Sequence, residues 1–125
     1  MNVFAIRGAI TVTGDTQAEI EAKTRTLIQA MLEKNGIGSR CTPVSLLIST
    51  TSDITSFYPA RAVRESALVN VPLFSTLEPN IEGALPLCIR MLLTVSSKNK
   101  RQKAVHVYLD GAAVLRPDLC QSTQE

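Results

Sequence analysis

Between positions 87 and 95 the chain reads Leu-Cys-Ile-Arg-Met-Leu-Leu-Thr-Val, an almost wholly apolar run around one guanidinium. A run this short and apolar predicts a strand. Alternate side chains of a strand point to opposite faces, so Cys88, Arg90, Leu92 and Thr94 share one face. Ile89, Met91, Leu93 and Val95 share the other, which has the character of a core. Arginine keeps its charge at any cellular pH. A cation among apolar neighbours is costly unless an anion is supplied. No acidic residue lies within the run. Either a distant carboxylate pairs with Arg90, or the charge is kept for a ligand.

The rest of the pattern alternates between strand and helix periods. Residues 3–12 predict a first strand, interrupted by Arg7-Gly8, where the glycine marks a bulge or a close backbone approach. Asp15 or Thr16 starts a helix of about five turns. Its apolar face is Ile20, Ala22 or Lys23, Leu27, Ile28, Met31 and Leu32, and Asn35-Gly36 ends it. Residues 43–49 predict a second strand, apolar enough to be buried on both faces. Residues 49–53 form a loop or helix cap. Residues 58–65 form a short helix opened by Pro59, with Arg61 and Arg64 on one face. Residues 70–75 are a short strand that Pro72 places at an edge or near a strand start. After a turn at 76–79, residues 83–86 lead into the strand at 87–95. A basic loop at 96–103 follows. Residues 104–109 predict another strand, with His106 and Tyr108 on one face. Asp110-Gly111 is a hairpin signal, with 112–116 returning. The fold class is α+β, or mixed α/β: a single domain with a mixed sheet and one long helix. A mobile tail is expected over 120–125 after a domain spanning 1–119.

Composition narrows the function. The chain has 125 residues, 45% of them hydrophobic, enough for one domain with a real core. A net charge of +2 is too small to argue for a polyanion partner. Trp is absent and aromatics are few, against a base-stacking surface. The basic loop lacks interleaved aromatics and reads as a solvated turn, so no nucleic-acid partner is expected. No apolar run reaches membrane-spanning length, and residues 1–7 lack signal-peptide features. The cysteines Cys41, Cys88 and Cys120 are odd in number and widely spaced, as suits a reducing cytoplasm.

The inventory of reactive groups is sparse. His106 is the sole histidine, which rules out a two-His metal site, and it reads as structural. Cys88 and Cys120 read as small core residues. Gly36-Ile37-Gly38 is too little for a phosphate loop. Arginine outnumbers lysine, eight to five. Arg7, Arg64, Arg90 and Arg116 lie beside apolar segments, where bidentate grip on carboxylate or phosphate is the usual use. Arginines, phenols and Glu78 suit anion binding, and suit catalysis only where no proton relay or covalent adduct is needed.

Several runs resemble one family. Ile6-Arg7-Gly8-Ala9, Tyr58-Pro59-Ala60-Arg61-Ala62-Val63-Arg64-Glu65, Cys88-Ile89-Arg90, His106-Val107-Tyr108-Leu109 and Val114-Leu115-Arg116-Pro117-Asp118-Leu119 look like the monofunctional chorismate mutases of the AroH class. The likeness extends from Arg7 to Leu119. It implies a cytoplasmic homotrimer, a pseudo-α/β barrel with sites between subunits, that rearranges chorismate to prephenate without cofactor or metal. It implies that Arg90 faces the ether oxygen and a carboxylate, that Arg7 and Tyr108 grip the enolpyruvyl carboxylate, and that Glu78 accepts from the ring hydroxyl. Arg64 and Arg116 then attract the dianion and help cover it. Tyr58, Arg61, Leu73, Phe74, Ser75 and Leu115 complete the substrate contacts. Arg61 stands where the family often has Lys, Tyr58 where it often has Phe, and Ser75 where it usually has Cys. Phe74 and Leu77 replace smaller or polar residues. Ser75 and Phe74 keep open a non-catalytic dicarboxylate sensor with the same arginine pocket. A different trimeric enzyme with an interfacial arginine, such as a reactive-intermediate deaminase, is a third reading.

Overall fold

The computed structural model describes residues 2–38, 40–98 and 103–116. Its elements are β1 (Asn2–Thr11), α1 (Gln17–Lys34), β2 (Cys41–Thr50), α2 (Pro59–Ser66), β3 (Leu73–Leu77), β4 (Cys88–Ser97), β5 (Val107–Tyr108) and a 3-10 helix, Asp110–Val114. The five strands form one mixed sheet in the order β3-β2-β4-β1-β5. β4, the run that opens the sequence argument, is central and antiparallel to both β1 and β2. β3 runs parallel to β2, and β5 parallel to β1.

Both helices cover the same face of the sheet. Ile89, Met91, Leu93 and Val95 of β4 join Ile6 and Ile10, Leu46 and Ile48, the α1 residues Ile20, Leu27, Ile28 and Met31, and Val63 of α2 in one buried cluster. The opposite face carries Arg7, Ala9, Leu47, Ser49, Arg90, Leu92 and Tyr108 by strand alternation and register. At one end of that face a smaller cluster forms from Ala9, Cys88, Tyr108 and Ala112, with Leu85 and Leu115 against it. The split of Cys88, Arg90, Leu92 and Thr94 from the core-facing set is as read from the sequence.

Local chemistry explains the element ends. Thr16 caps α1, its hydroxyl accepting from the Glu19 amide at 3.3 Å. Asp15, the other candidate cap, instead accepts from the Thr55 and Ser56 amides, tying the loop before α2 to the start of α1. The Thr55 hydroxyl, which also donates to it, and then those amides hold its carboxyl below the usual range. Gly36 sits at φ 58°, the left-handed geometry expected after a helix. Gly8 marks a close approach and not a bulge, since a Cβ there would lie 2.3 Å from Met31 Sδ. The sheet's irregularity falls in β2, between Pro43 and Ser45.

Four expectations are corrected. The strand read at 70–75 is Leu73–Leu77, because parallel pairing with Leu46–Thr50 of β2 keeps Thr76 and Leu77 extended, and the turn read at 76–79 begins only after them. β2 is buried on one face only, because both helices lie on that side; Leu47, on the other, is 43% exposed. The strand over 104–109 shrinks to Val107–Tyr108. Side chains replace strand partners before it: Asn35 exchanges two hydrogen bonds with the Val105 backbone at 2.7 and 2.9 Å, and His106 Nδ1 accepts the Arg7 amide at 2.9 Å. Asp110-Gly111 opens a 3-10 helix and no hairpin. Asp110 takes φ 53°, its carboxylate reaches Lys23 Nζ at 2.7 Å, and the Gly111 amide donates to Thr11 Oγ1. These contacts fold the segment against β1 and α1, where a returning strand has no room. The tail from Pro117 onward, including Cys120, and residues 99–102 of the basic loop lie outside the described residues.

Candidate functional site

The sheet register brings four of the sequence-predicted residues together. Arg90 in β4 stands opposite Ala9 of β1 on one side and Ser49 of β2 on the other. Arg7 is two residues before Ala9, hence on the same face, and Tyr108 pairs with Ala9 from β5. Glu78 follows the end of β3, where its amide donates to Thr50 O at 2.8 Å. Arg7, Glu78, Arg90 and Tyr108 thereby line one cleft of about 350 Å³ on the face away from the helices. Leu47, Ser49, Thr76 and Leu77 complete its walls.

Arg90 has both an acidic neighbour and open space. Glu78 Oε1 lies 3.6 Å from Arg90 Nε, close enough for charge attraction and too long for a hydrogen bond. The Nε–H is buried and has no hydrogen-bond partner. Glu78 Oε1 instead accepts the Ser49 hydroxyl at 2.5 Å. The cation is therefore only partly neutralised, and the cleft beside it remains. Cys88, two residues before Arg90, is fully buried, and that burial pushes its thiol up, against the pull of Arg90. It is an inert neighbour, not a nucleophile.

His106 stands behind Arg7. Burial, then the charges of Arg7 and Arg116, hold its imidazolium pKa below the ordinary value of 6.5. Its Nδ1 accepts from the Arg7 amide, so the neutral ring carries its proton on Nε2. Histidine here anchors the backbone of Arg7. Leu115 packs on the small cluster around Tyr108, and Arg116 follows it, half-buried.

Tyr58, Arg61, Arg64, Leu73 and Ser75 form a second group. Tyr58, Arg61 and Ser75 line a larger cavity, about 750 Å³, between the loop before α2 and the edge strand β3. Arg61 lies 5.5 Å from the Phe57 ring centre and 3.5 Å from Glu65, both contacts at the surface. Arg64 joins Tyr58 and Arg61 along one side of α2 and borders a depression with Leu73. Phe74 is 64% exposed on the opposite face of the sheet, where it pairs with Leu47. Ser75 pairs with Ile48, a core-face residue, whereas Arg90 pairs with Ser49 on the cleft face. The sheet itself thus separates Ser75 from Arg90. Thr76 and Leu77 border both cavities.

Ser49, Leu47 and Thr76 were not singled out from the sequence. Their only signal was strand alternation, and alternation names no partner until the register of β2 against β4 is known. The polar groups lining the cleft are two guanidiniums, a phenol, a carboxylate and two hydroxyls. They can hold a small dianion and place fixed positive charge beside one of its oxygens. They offer no nucleophile and no neutral-pH base at the cleft floor.

Comparison with known proteins gives a consistent result. Residues 3–119 match the family model described as chorismate mutase type I. Chorismate mutase AroH of Thermus thermophilus is 43% identical over 117 residues, covering 94% of this chain and 96% of that protein. Chorismate mutase AroH of Bacillus subtilis (strain 168) is 40% identical over 120 residues, covering 95% and 94%. A solved chorismate mutase from Clostridium thermocellum superposes with a TM-score of 0.81 at 36% identity, over 89% of this chain and 98% of that one.

Proposed function

The chain belongs to the type I chorismate mutase family and is a chorismate mutase of aromatic amino-acid biosynthesis; from that premise we propose how its residues act on chorismate. The observation that carries the proposal is the convergence of Arg7, Glu78, Arg90 and Tyr108 on one cleft. The rearrangement to prephenate is unimolecular. The ether C–O bond breaks as a C–C bond forms, and negative charge grows on the ether oxygen. Two effects lower such a barrier: holding the dianion in its reactive chair, and preorganised positive charge at the oxygen that gains electrons.

Arg90 supplies that charge, with its guanidinium toward the ether oxygen and a carboxylate. Arg7 and Tyr108 grip the carboxylate of the enolpyruvyl arm. Glu78 accepts a hydrogen bond from the ring hydroxyl. Arg61, Arg64 and Arg116 attract the dianion, and Tyr58, Leu73, Phe74, Ser75 and Leu115 shape the rest of the enclosure. No proton moves in this chemistry, so the pH range of activity is set by groups that do not titrate near neutrality.

We propose further that the working unit is a homotrimer in which neighbouring subunits share each site. The placement of Ser75 and Arg90 on opposite faces of one sheet supports this, since a single ligand then needs the Ser75 side of one chain and the Arg90 side of another. The exposed Val3, Leu47 and Phe74 on the open face fit such an assembly. A reducing cytoplasm fits the buried thiol of Cys88. Among the described residues no helix is long and apolar enough to cross a membrane. Nothing in the cleft or in the relatives favours a non-catalytic dicarboxylate sensor. The test is direct: purified protein consumes chorismate, followed by its absorbance, and forms prephenate at a rate flat between about pH 6 and 9. Chorismate bound but not consumed would sustain the sensor instead.

A further inference from the structure

Resting on the assignment of Arg90 and Glu78 to the substrate, we infer that Ser49 is a positioning residue whose hydroxyl holds the Glu78 carboxylate off the Arg90 guanidinium, keeping both groups available to chorismate. The Ser49 Oγ donates to Glu78 Oε1 at 2.5 Å, the short range of a bond to a charged acceptor. The same oxygen stops 3.6 Å short of Arg90 Nε, whose buried N–H has no hydrogen-bond partner among the described residues. A guanidinium N–H beside a carboxylate ordinarily closes to about 2.7–2.9 Å. Something must hold this pair apart.

Ser49 is placed to do so. It stands directly opposite Arg90 across β2 and β4, and opposite Thr76 across β2 and β3. Its backbone is fixed by sheet pairing on both sides. The Glu78 backbone is fixed next to it, through the bond from its amide to Thr50 O. Glu78 is therefore anchored at its amide and at one carboxylate oxygen, and its reach toward Arg90 is limited. Without the hydroxyl, the carboxylate is free to close on Nε. The substrate's own anionic groups then have to displace Glu78 before Arg90 can act.

The test is steady-state kinetics on Ser49 variants of the full chain, with Arg90→Ala measured alongside. Losing one hydrogen bond to a charged group predicts that Ser49→Ala lowers kcat/KM by about tenfold to a hundredfold. The larger part falls in KM, because the competing pair must open on binding. Ser49→Thr keeps the hydroxyl and restores KM. Ser49→Cys keeps the size with only a weak donor, and behaves like alanine. In a Glu78→Gln background Ser49→Ala adds little, since its effect passes through the carboxylate. A merely structural serine would change melting temperature and active fraction while leaving KM alone. Wild-type KM in Ser49→Ala, or full additivity with Glu78→Gln, overturns the inference while an inactive Arg90→Ala leaves the site intact. Undiminished turnover in Arg90→Ala removes the site reading itself, and this inference with it.

Discussion

At the scale of single residues, the proposed mechanism relies on fixed guanidinium charge with a neutral imidazole behind it. An arginine side chain keeps its charge at any cellular pH. His106 between Arg7 and Arg116 is held in its neutral form, and its Nδ1 lone pair takes the Arg7 amide. The sign of the resulting pH effect follows. The folded pKa of His106 lies below the unfolded value near 6.5, so the unfolded chain takes up the proton first as pH falls. The stabilisation is complete above about 6.5 and is lost between there and the lower folded pKa. Melting temperature should therefore decline as pH drops from 6.5 toward 5, and that slope should shrink in His106→Gln. An unchanged slope would mean that His106 is not the group responsible. Arg90 was visible in the sequence because a lone cation in an apolar strand needs a reason. Ser49 was not, because a serine in a strand is ordinary until the residue opposite it is known.

At the scale of elements, the two periods in the sequence located β1, α1, β2, α2 and β4 to within a few residues. They failed after residue 103, for a physical reason. The pattern of 104–109 is that of an extended chain, but Asn35 and His106 take up its backbone partners by side chain. A side-chain partner from seventy residues away leaves no periodic trace. The Asp110-Gly111 pair carries the same lesson, because its turn chemistry is real but the contacts of Asp110 with Lys23 and of Gly111 with Thr11 decide where the chain goes. Gly8 shows the opposite case, in which one residue type reported a packing fact correctly. Its Cα faces Met31 and Leu27 of α1 with no space for a methyl group. Gly8→Ala should cost about 1–3 kcal/mol of stability by overpacking, measured by denaturant unfolding. A neutral or stabilising result would show that α1 leaves room for a methyl group against β1.

At the scale of the whole molecule, Ser75 with the arginines of α2 and the Arg90 cleft lie on opposite faces of one sheet, and the proposed assembly rejoins them. This has a consequence for mixed oligomers. Arg90→Ala removes the cleft side of every site and Arg64→Ala weakens the α2 side. Unfolded together and refolded, the two variants should regain turnover well above either alone, because some interfaces then pair an intact cleft with an intact α2. No gain on mixing would place a complete site within one chain. The proposed assembly would supply enclosure, but the rate enhancement is assigned to a single fixed charge. The most direct measurement of that assignment is kcat for Arg90→Gln, a neutral side chain that keeps hydrogen-bond donors, with folding checked by circular dichroism. Losing preorganised charge at the reacting oxygen predicts a fall of about a thousandfold or more; turnover within about tenfold of wild type would contradict it.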